Sequence, residues 1–242
     1  MTPASNTYAK DQCKGGLLPE LRTVVPQHLQ LVNDHQLEVL RFSNAFANIG
    51  QGPWRMSPVF PLVGGGTQDA IQQILDSSGR VVCEKVVSQF VFHPEHNHWH
   101  INNVALFEVR AASPDGPLVG SRFKVTFCLI DWYRLDDNSP TAERTYFDCN
   151  GAYQGISPGW ADQYHQSTEG QQLDITSAPP GVYYLLSTVN FLGNFLEKDT
   201  SNNRAWVSFE LTRDSSGNAK ISIIGHSPCE TPGLCGETGP NR

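Results

Sequence analysis

Residues 37–46 read Leu-Glu-Val-Leu-Arg-Phe-Ser-Asn-Ala-Phe and run straight into Asn48-Ile49-Gly50-Gln51-Gly52-Pro53. An apolar run that ends in a Gly/Pro/Asn cluster reads as a strand stopped by a turn. The same reading recurs along the chain. Residues 85–92 read as a strand, and residues 103–109 and 123–130 alternate apolar and polar side chains with period two. Residues 181–190 follow Pro179-Pro180-Gly181 and are rich in Val, Tyr and Leu. Residues 204–211 and 220–224 complete the set, and Asp214-Ser215-Ser216-Gly217-Asn218 between them is a turn. One short stretch, residues 68–75, is a helix candidate. Many short strands between turn signals predict an all-β fold, a β-sandwich-like single domain with long loops and little helix. Residues 1–16 read as an N-terminal arm, since termini are commonly loosely held. Residues 17–212 form the expected domain, and residues 213–242 a C-terminal hairpin and tail packed on it.

Composition agrees with a folded chain. The 242 residues include 17% charged and 10% aromatic side chains, where disorder needs high charge and few aromatics. There are 24 acids against 17 bases, a net charge of −7. No basic stripe offers itself to nucleic acid, so that partner is not expected. An acidic field favours cationic ligands such as amines. No apolar run approaches the ~20 residues of a membrane helix, and no membrane span is expected. The polar first ten residues lack the apolar core of a leader, so either an intracellular protein or a trimmed mature form is expected. Six cysteines, at 13, 83, 128, 149, 229 and 235, contain no C-x-x-C pair. An even count at wide spacing suits three disulfides and a secreted, extracellular protein.

The densest chemical feature is His93-Pro94-Glu95-His96-Asn97-His98-Trp99-His100. His96, His98 and His100 fall at i, i+2 and i+4, and on an extended strand those positions share a face. Neighbours two apart lie ~6.6 Å from each other, and two imidazoles with metal–nitrogen bonds of ~2 Å can span that gap. The outer pair is ~13 Å apart on a straight strand, too far for one ion. A three-ligand site therefore requires a sharp bend or bulge within the motif. Imidazole suits copper, zinc, iron or nickel, and the affinity order favours copper(II). The bland alternative is a surface histidine run, which strict period-two spacing next to a strand disfavours. His93 is open between ligand and outer partner.

These residues resemble the lysyl oxidase family. His96-x-His98-x-His100 after an aromatic strand is similar to its copper motif. Leu17-Leu18-Pro19-Glu20-Leu21, Leu40-Arg41-Phe42 and Asn48-x-Gly50 resemble the start of its catalytic domain. Phe123-Lys124-x-x-Phe127-Cys128-Leu129-x-Asp131 resembles its lysine-bearing strand, and residues 154–159 with Asp162-x-Tyr164 its tyrosine-bearing loop. Leu173-Asp174-Ile175-Thr176, Pro180-Gly181-x-Tyr183, Glu197-x-Asp199 and Asn202-Asn203 follow at family spacing. The resemblance covers most of residues 17–210. It implies a Cu(2+) ion on His96, His98 and His100. It also implies lysine tyrosylquinone, a cofactor made from Lys124 and Tyr164, with Zn(2+) in an unprocessed form. The implied reaction oxidises primary amines, chiefly peptidyl lysine, with molecular oxygen to aldehydes, ammonia and hydrogen peroxide.

The chemistry sets its own demands. Lys124 must attack the oxidised ring as a free base, whereas an exposed lysine has a pKa near ~10.4, so a partly desolvated pocket is expected. By alternation alone Lys124 reads as a solvated polar position, and Tyr164 as a residue of a Gly/Pro/Asp-rich loop. Asp162 and His165 flank Tyr164 and are candidates for the base, although a turn cap or surface residue is the preferred reading of both. Glu95 stands where animal members of the family have a cysteine. The pairings the resemblance then leaves are Cys128–Cys149, Cys229–Cys235 and Cys13–Cys83. The chain also lacks a scavenger-receptor or basic pro-region and so resembles a minimal, microbial form, whose substrates include small amines or surface peptides. The competing reading is a non-catalytic copper- or zinc-binding secreted β-sandwich module.

Overall fold

The computed structural model describes residues 12–34 and 37–240, with residue 34 and residues 121–125 described by backbone alone. Its elements are β1 (Leu21–Thr23), β2 (Gln27–Asp34), β3 (Leu37–Asn48), β4 (Trp54–Pro58), β5 (Thr67–Leu75), β6 (Val81–His93), β7 (His98–Ala111) and β8 (Leu118–Phe127). They continue with β9 (Tyr133–Arg134), β10 (Gln154–Ile156), β11 (Trp160–Tyr164), β12 (Gln172–Asp174), β13 (Gly181–Val189), β14 (Arg204–Arg213) and β15 (Ala219–His226). All elements among the described residues are strands, and the fold is all-β. No helix among them is long and apolar enough to cross a membrane.

The strands form two antiparallel sheets. The larger has nine strands in the order β10-β4-β5-β6-β7-β13-β14-β15, with β8 also on β7. The smaller has six, in the order β1-β3-β11-β9, with β2 and β12 also on β3. Aromatic side chains join them. Phe42 and Phe46 of β3 meet Phe107 of β7 and Phe127 of β8 edge to face, with ring centroids 4.9 and 4.8 Å apart. All four are fully buried. Edge-to-face rings of this kind add roughly 0.5–1.5 kcal/mol per pair beyond area burial.

One expectation is corrected. Residues 68–75 are not helical but form most of β5. Their apolar residues Ala70, Ile71, Ile74 and Leu75 have helix-like spacing. The ladder to β6 slips between Ala70 and Ile71 and again between Ile74 and Leu75, and these irregularities reconcile that spacing with a strand. Pairing on both edges outweighs local propensity.

Three disulfides join Cys13 to Cys83, Cys128 to Cys149 and Cys229 to Cys235, the partners that the resemblance implies. Residues 1–11 of the expected arm lie outside the described residues. The segment after β15 returns to the smaller sheet: Val25 N–H donates to the Leu234 carbonyl at 3.0 Å, and the Thr238 hydroxyl to the Leu135 carbonyl at 2.7 Å.

Candidate metal centre and its cavity

Strand β6 ends at His93, and β7 begins at His98, its partner across the ladder. The connection is a tight turn. Pro94 presets the turn backbone, and the His96 N–H donates to the His93 carbonyl at 3.2 Å. Asn97 takes a φ of +54°, in the left-handed region that Asn tolerates better than most residues. The bend that convergence demands falls here, between His96 and His98. A second positive φ, +55° at Asn103, accompanies a register shift between β7 and β8 across Asn102 and Ala105.

The turn gathers four imidazoles. His98 Nε2 lies 2.7 Å from His100 Nε2. The His93 ring stacks on His100 at 4.4 Å between centroids, and the His96 ring is 5.5 Å from both His98 and His100. His93, His96 and His100 each present a ligand atom within 4.8 Å of the other two. His100 is buried and its Nδ1 is 3.0 Å from the Thr126 hydroxyl of β8, which leaves Nε2 facing the cluster. A partner on one ring nitrogen sets which nitrogen ligates.

The donor chemistry fits a transition ion. Burial, and then the neighbouring His96, lowers the pKa of both His93 and His98. Neutral imidazole is the ligating form. Two nitrogens bonded tetrahedrally to one ion sit roughly 3.3 Å apart for bonds of about 2.0 Å, so the 2.7 Å His98–His100 approach needs only a small widening.

A cavity of about 550 Å³ opens over the histidines. Tyr164 and Asp162 line it from β11, with the Cys128–Cys149 disulfide and Glu95 and Glu169 at other points of the wall. Glu169 Oε2 is 3.8 Å from His96 Nε2. Tyr164 is not a loop residue, as its sequence context suggests, but closes β11, opposite Asn44 of β3. What brings it into a strand is Gly159, whose φ of +80° turns the chain into β11. A side chain there would meet Ser139 and Pro140 at 2.7 Å. The Gly159 N–H also donates to the Asn48 carbonyl at 2.7 Å.

The Tyr164 ring packs edge-on against Phe127 at 4.6 Å. Burial first, then the carboxylate of Asp162, raises the phenol's pKa well above its ordinary value, and the hydrogen bond from Cys128 N–H opposes the rise. Asp162 is 2% exposed and lines the cavity, so it is neither a turn cap nor a surface residue. His165 is also buried, with Nδ1 2.9 Å from the Ser167 hydroxyl, and is not among the cavity's lining residues. Lys124 lies in β8 with its backbone opposite Ala105, and its side chain is outside the described residues.

Sequence reasoning missed Thr126 and set Asp162 aside. The period-two spacing of Asp162 and Tyr164 was the available signal for the latter. Thr126 had none, because its contact with His100 depends on the β7–β8 register.

The lysyl oxidase family model matches residues 74–219. Over 148 residues the chain is 30% identical to lysyl oxidase homolog 4 of Mus musculus, covering 55% of this chain and 19% of that protein. It is 32% identical over 114 residues to lysyl oxidase homolog 3 of Homo sapiens, covering 47% and 14%. It is 31% identical over 133 residues to lysyl oxidase homolog 1 of Homo sapiens, covering 54% and 22%. The match thus spans about a fifth of the length of these curated relatives or less. The family match runs over more than half of the chain, from β5 to the start of β15, and takes in the histidine turn, Lys124 and Tyr164: this chain belongs to the lysyl oxidase family.

Proposed function

We propose that this chain is a secreted copper-dependent amine oxidase, which converts primary amines or peptidyl lysine to aldehydes with release of ammonia and hydrogen peroxide. The observation that carries the reading is that the histidine cluster, Tyr164 and Asp162 line one cavity. His96, His98 and His100 would hold Cu(2+), and Lys124 and Tyr164 would supply the lysine tyrosylquinone. When present, copper supplies one-electron oxidation of the phenol and the quinone supplies an electrophilic carbonyl.

The chain's own residues do the rest. Glu95, Glu169 and Asp162 give the cavity an acidic wall, and no Lys or Arg is among its described lining residues. Such a wall attracts an ammonium group. Asp162, buried two residues from Tyr164 on β11, is placed to accept a proton at the reacting end of the cavity. Phe127 and the Cys128 backbone hold the Tyr164 ring in position. The domain that does this is residues 17–212, with residues 213–242 packed on it. Three disulfides support an oxidising, extracellular compartment.

Copper-loaded, oxygenated protein should gain visible quinone absorbance and release peroxide with a primary amine. Peptide mass analysis should find Lys124 and Tyr164 in one cross-linked peptide. Absence of the cross-link, absorbance and peroxide together rejects the catalytic reading. A second reading, a metal-binding module holding copper or zinc without the quinone, is favoured by the double hydrogen bond that fastens the Tyr164 hydroxyl to Cys128. Bound metal with separate Lys124 and Tyr164 peptides selects it.

A further inference from the structure

We infer that Arg55 anchors a second ligand site, separate from the amine cavity, which takes the carboxylate of a small aromatic acid. The site does not depend on the copper reading. Its cavity of about 380 Å³ shares no lining residue with the cavity over the histidines. That volume lies within the range of small-molecule sites.

The larger sheet builds the site from neighbouring strands. Arg55 of β4 stands opposite Gly155 of β10 on one side and Gln73 of β5 on the other. Partners across a ladder project to one face of the sheet. Gly155 places no side chain beside Arg55. A Cβ there would lie 3.1 Å from Tyr146 Cζ, so its absence lets the Tyr146 ring lie close over the strand. Two residues before Gly155, the Tyr153 ring receives the Arg55 guanidinium, whose Cζ is 3.5 Å from the ring centroid. Tyr146, Phe147 and Tyr153 all line the cavity, the first buried and the other two exposed.

No protein group balances the charge at the centre of these rings. Arg55 is partly buried and its Nε is buried without a hydrogen-bond partner. Among the described residues, no hydrogen bond or ion pair holds the guanidinium. The Tyr146 phenol is neutral, because burial raises its pKa above the ordinary value. Asp148 is the acid of the lining, and its Oδ1 accepts from the Asn150 N–H at 2.8 Å within its own turn. A guanidinium stacked by its face on a ring keeps its in-plane N–H fork available. That fork matches a carboxylate with two parallel hydrogen bonds. The surrounding aromatic walls favour a ring on the body that carries the carboxylate. An aromatic acid answers both features at once.

The test is an amide chemical-shift titration of the full chain at low ionic strength with phenylacetate, with its neutral isostere phenylacetamide, and with acetate. Wild type is expected to bind phenylacetate with saturation at roughly millimolar concentration, as suits a fragment of this size. The shifted amides should fall within residues 145–155. Phenylacetamide, which lacks the charge, and acetate, which lacks the ring, should each bind at least about 10-fold more weakly. Arg55→Met keeps the stem and removes the fork, and should weaken phenylacetate binding about 10–100-fold. Arg55→Lys keeps the charge without the fork and should recover only part of it. Each variant is first shown to unfold cooperatively. If Arg55→Met does not fold, Arg55→Lys and the three ligands on wild type still decide. The proposal is overturned if wild type shows no saturable phenylacetate binding, if phenylacetamide or acetate binds as well, if both variants bind as wild type does, or if the shifts fall on the histidine turn instead.

Discussion

The hydroxyl of Tyr164 accepts a hydrogen bond from the Cys128 N–H at 2.8 Å and donates one to the Cys128 carbonyl at 2.8 Å. The tyrosine that the family resemblance singles out for chemistry is therefore also a clamp between the two sheets. It joins β11 of the smaller sheet to the segment just after β8, where the Cys128–Cys149 disulfide begins. Substituting Tyr164→Phe leaves a backbone donor and acceptor without that partner. A cost of about 1–3 kcal/mol in unfolding free energy is expected, measured by urea denaturation of metal-free protein. The same variant should bind copper as wild type does and never develop quinone absorbance. Unchanged stability would mean that the clamp is not formed.

Asp162 is expected to act on turnover rather than on metal content. Asp162→Asn keeps the shape of the side chain and removes its capacity to take a proton. Turnover number per titratable quinone carbonyl should fall roughly 10²–10⁴-fold, with a much smaller change in KM. Copper stoichiometry should be unaltered. A fall in copper content equal to the fall in activity would instead place Asp162 in support of the metal.

Thr126 is a positioning residue, since its hydroxyl meets His100 Nδ1 at 3.0 Å from the neighbouring strand. Thr126→Val preserves branching and volume and removes the hydroxyl. Copper affinity is expected to fall roughly 10–100-fold, and Thr126→Ser to restore most of it. The readout is chelator competition, which a purely structural role for Thr126 would leave unmoved while thermal stability dropped.

Glu197 gives stability a pH dependence of known sign. It is 1% exposed and accepts from Asn190 Nδ2 at 2.5 Å, Asn203 Nδ2 at 2.7 Å and the Leu21 N–H at 3.0 Å. Burial outweighs these bonds and raises its pKa from 4.5 to about 7. Between those values the folded protein holds a proton that the unfolded chain has released. Stability therefore falls as pH rises from about 4.5 to about 7 and is level on either side, by up to roughly 3 kcal/mol from this group. Urea unfolding at pH 5 and pH 8 should show the fall. Glu197→Gln, which cannot ionise, should abolish this part of it.

Much of the fold was legible locally. The strands at residues 37–46, 85–92, 103–109 and 204–211 announce themselves by apolar runs between turn residues, and all four lie within strands of the structure. Residues 68–75 did not, because two ladder irregularities let a helix-spaced pattern serve as a strand. The spacing of His96, His98 and His100 was equally plain, and so was the need for a bend.

What the sequence determined by itself is what depends on near neighbours: the all-β class, the histidine run and the residue types available for copper and amine chemistry. The tertiary structure decided which of those residues meet. It set His93 opposite His98, brought Thr126 to His100, and put Tyr164 at the end of a strand with Asp162 in the same cavity. Each of those meetings follows from strand register or sheet packing between residues distant in the chain. Register is set by the summed pairing and burial of whole strands, and no short stretch of sequence carries that sum.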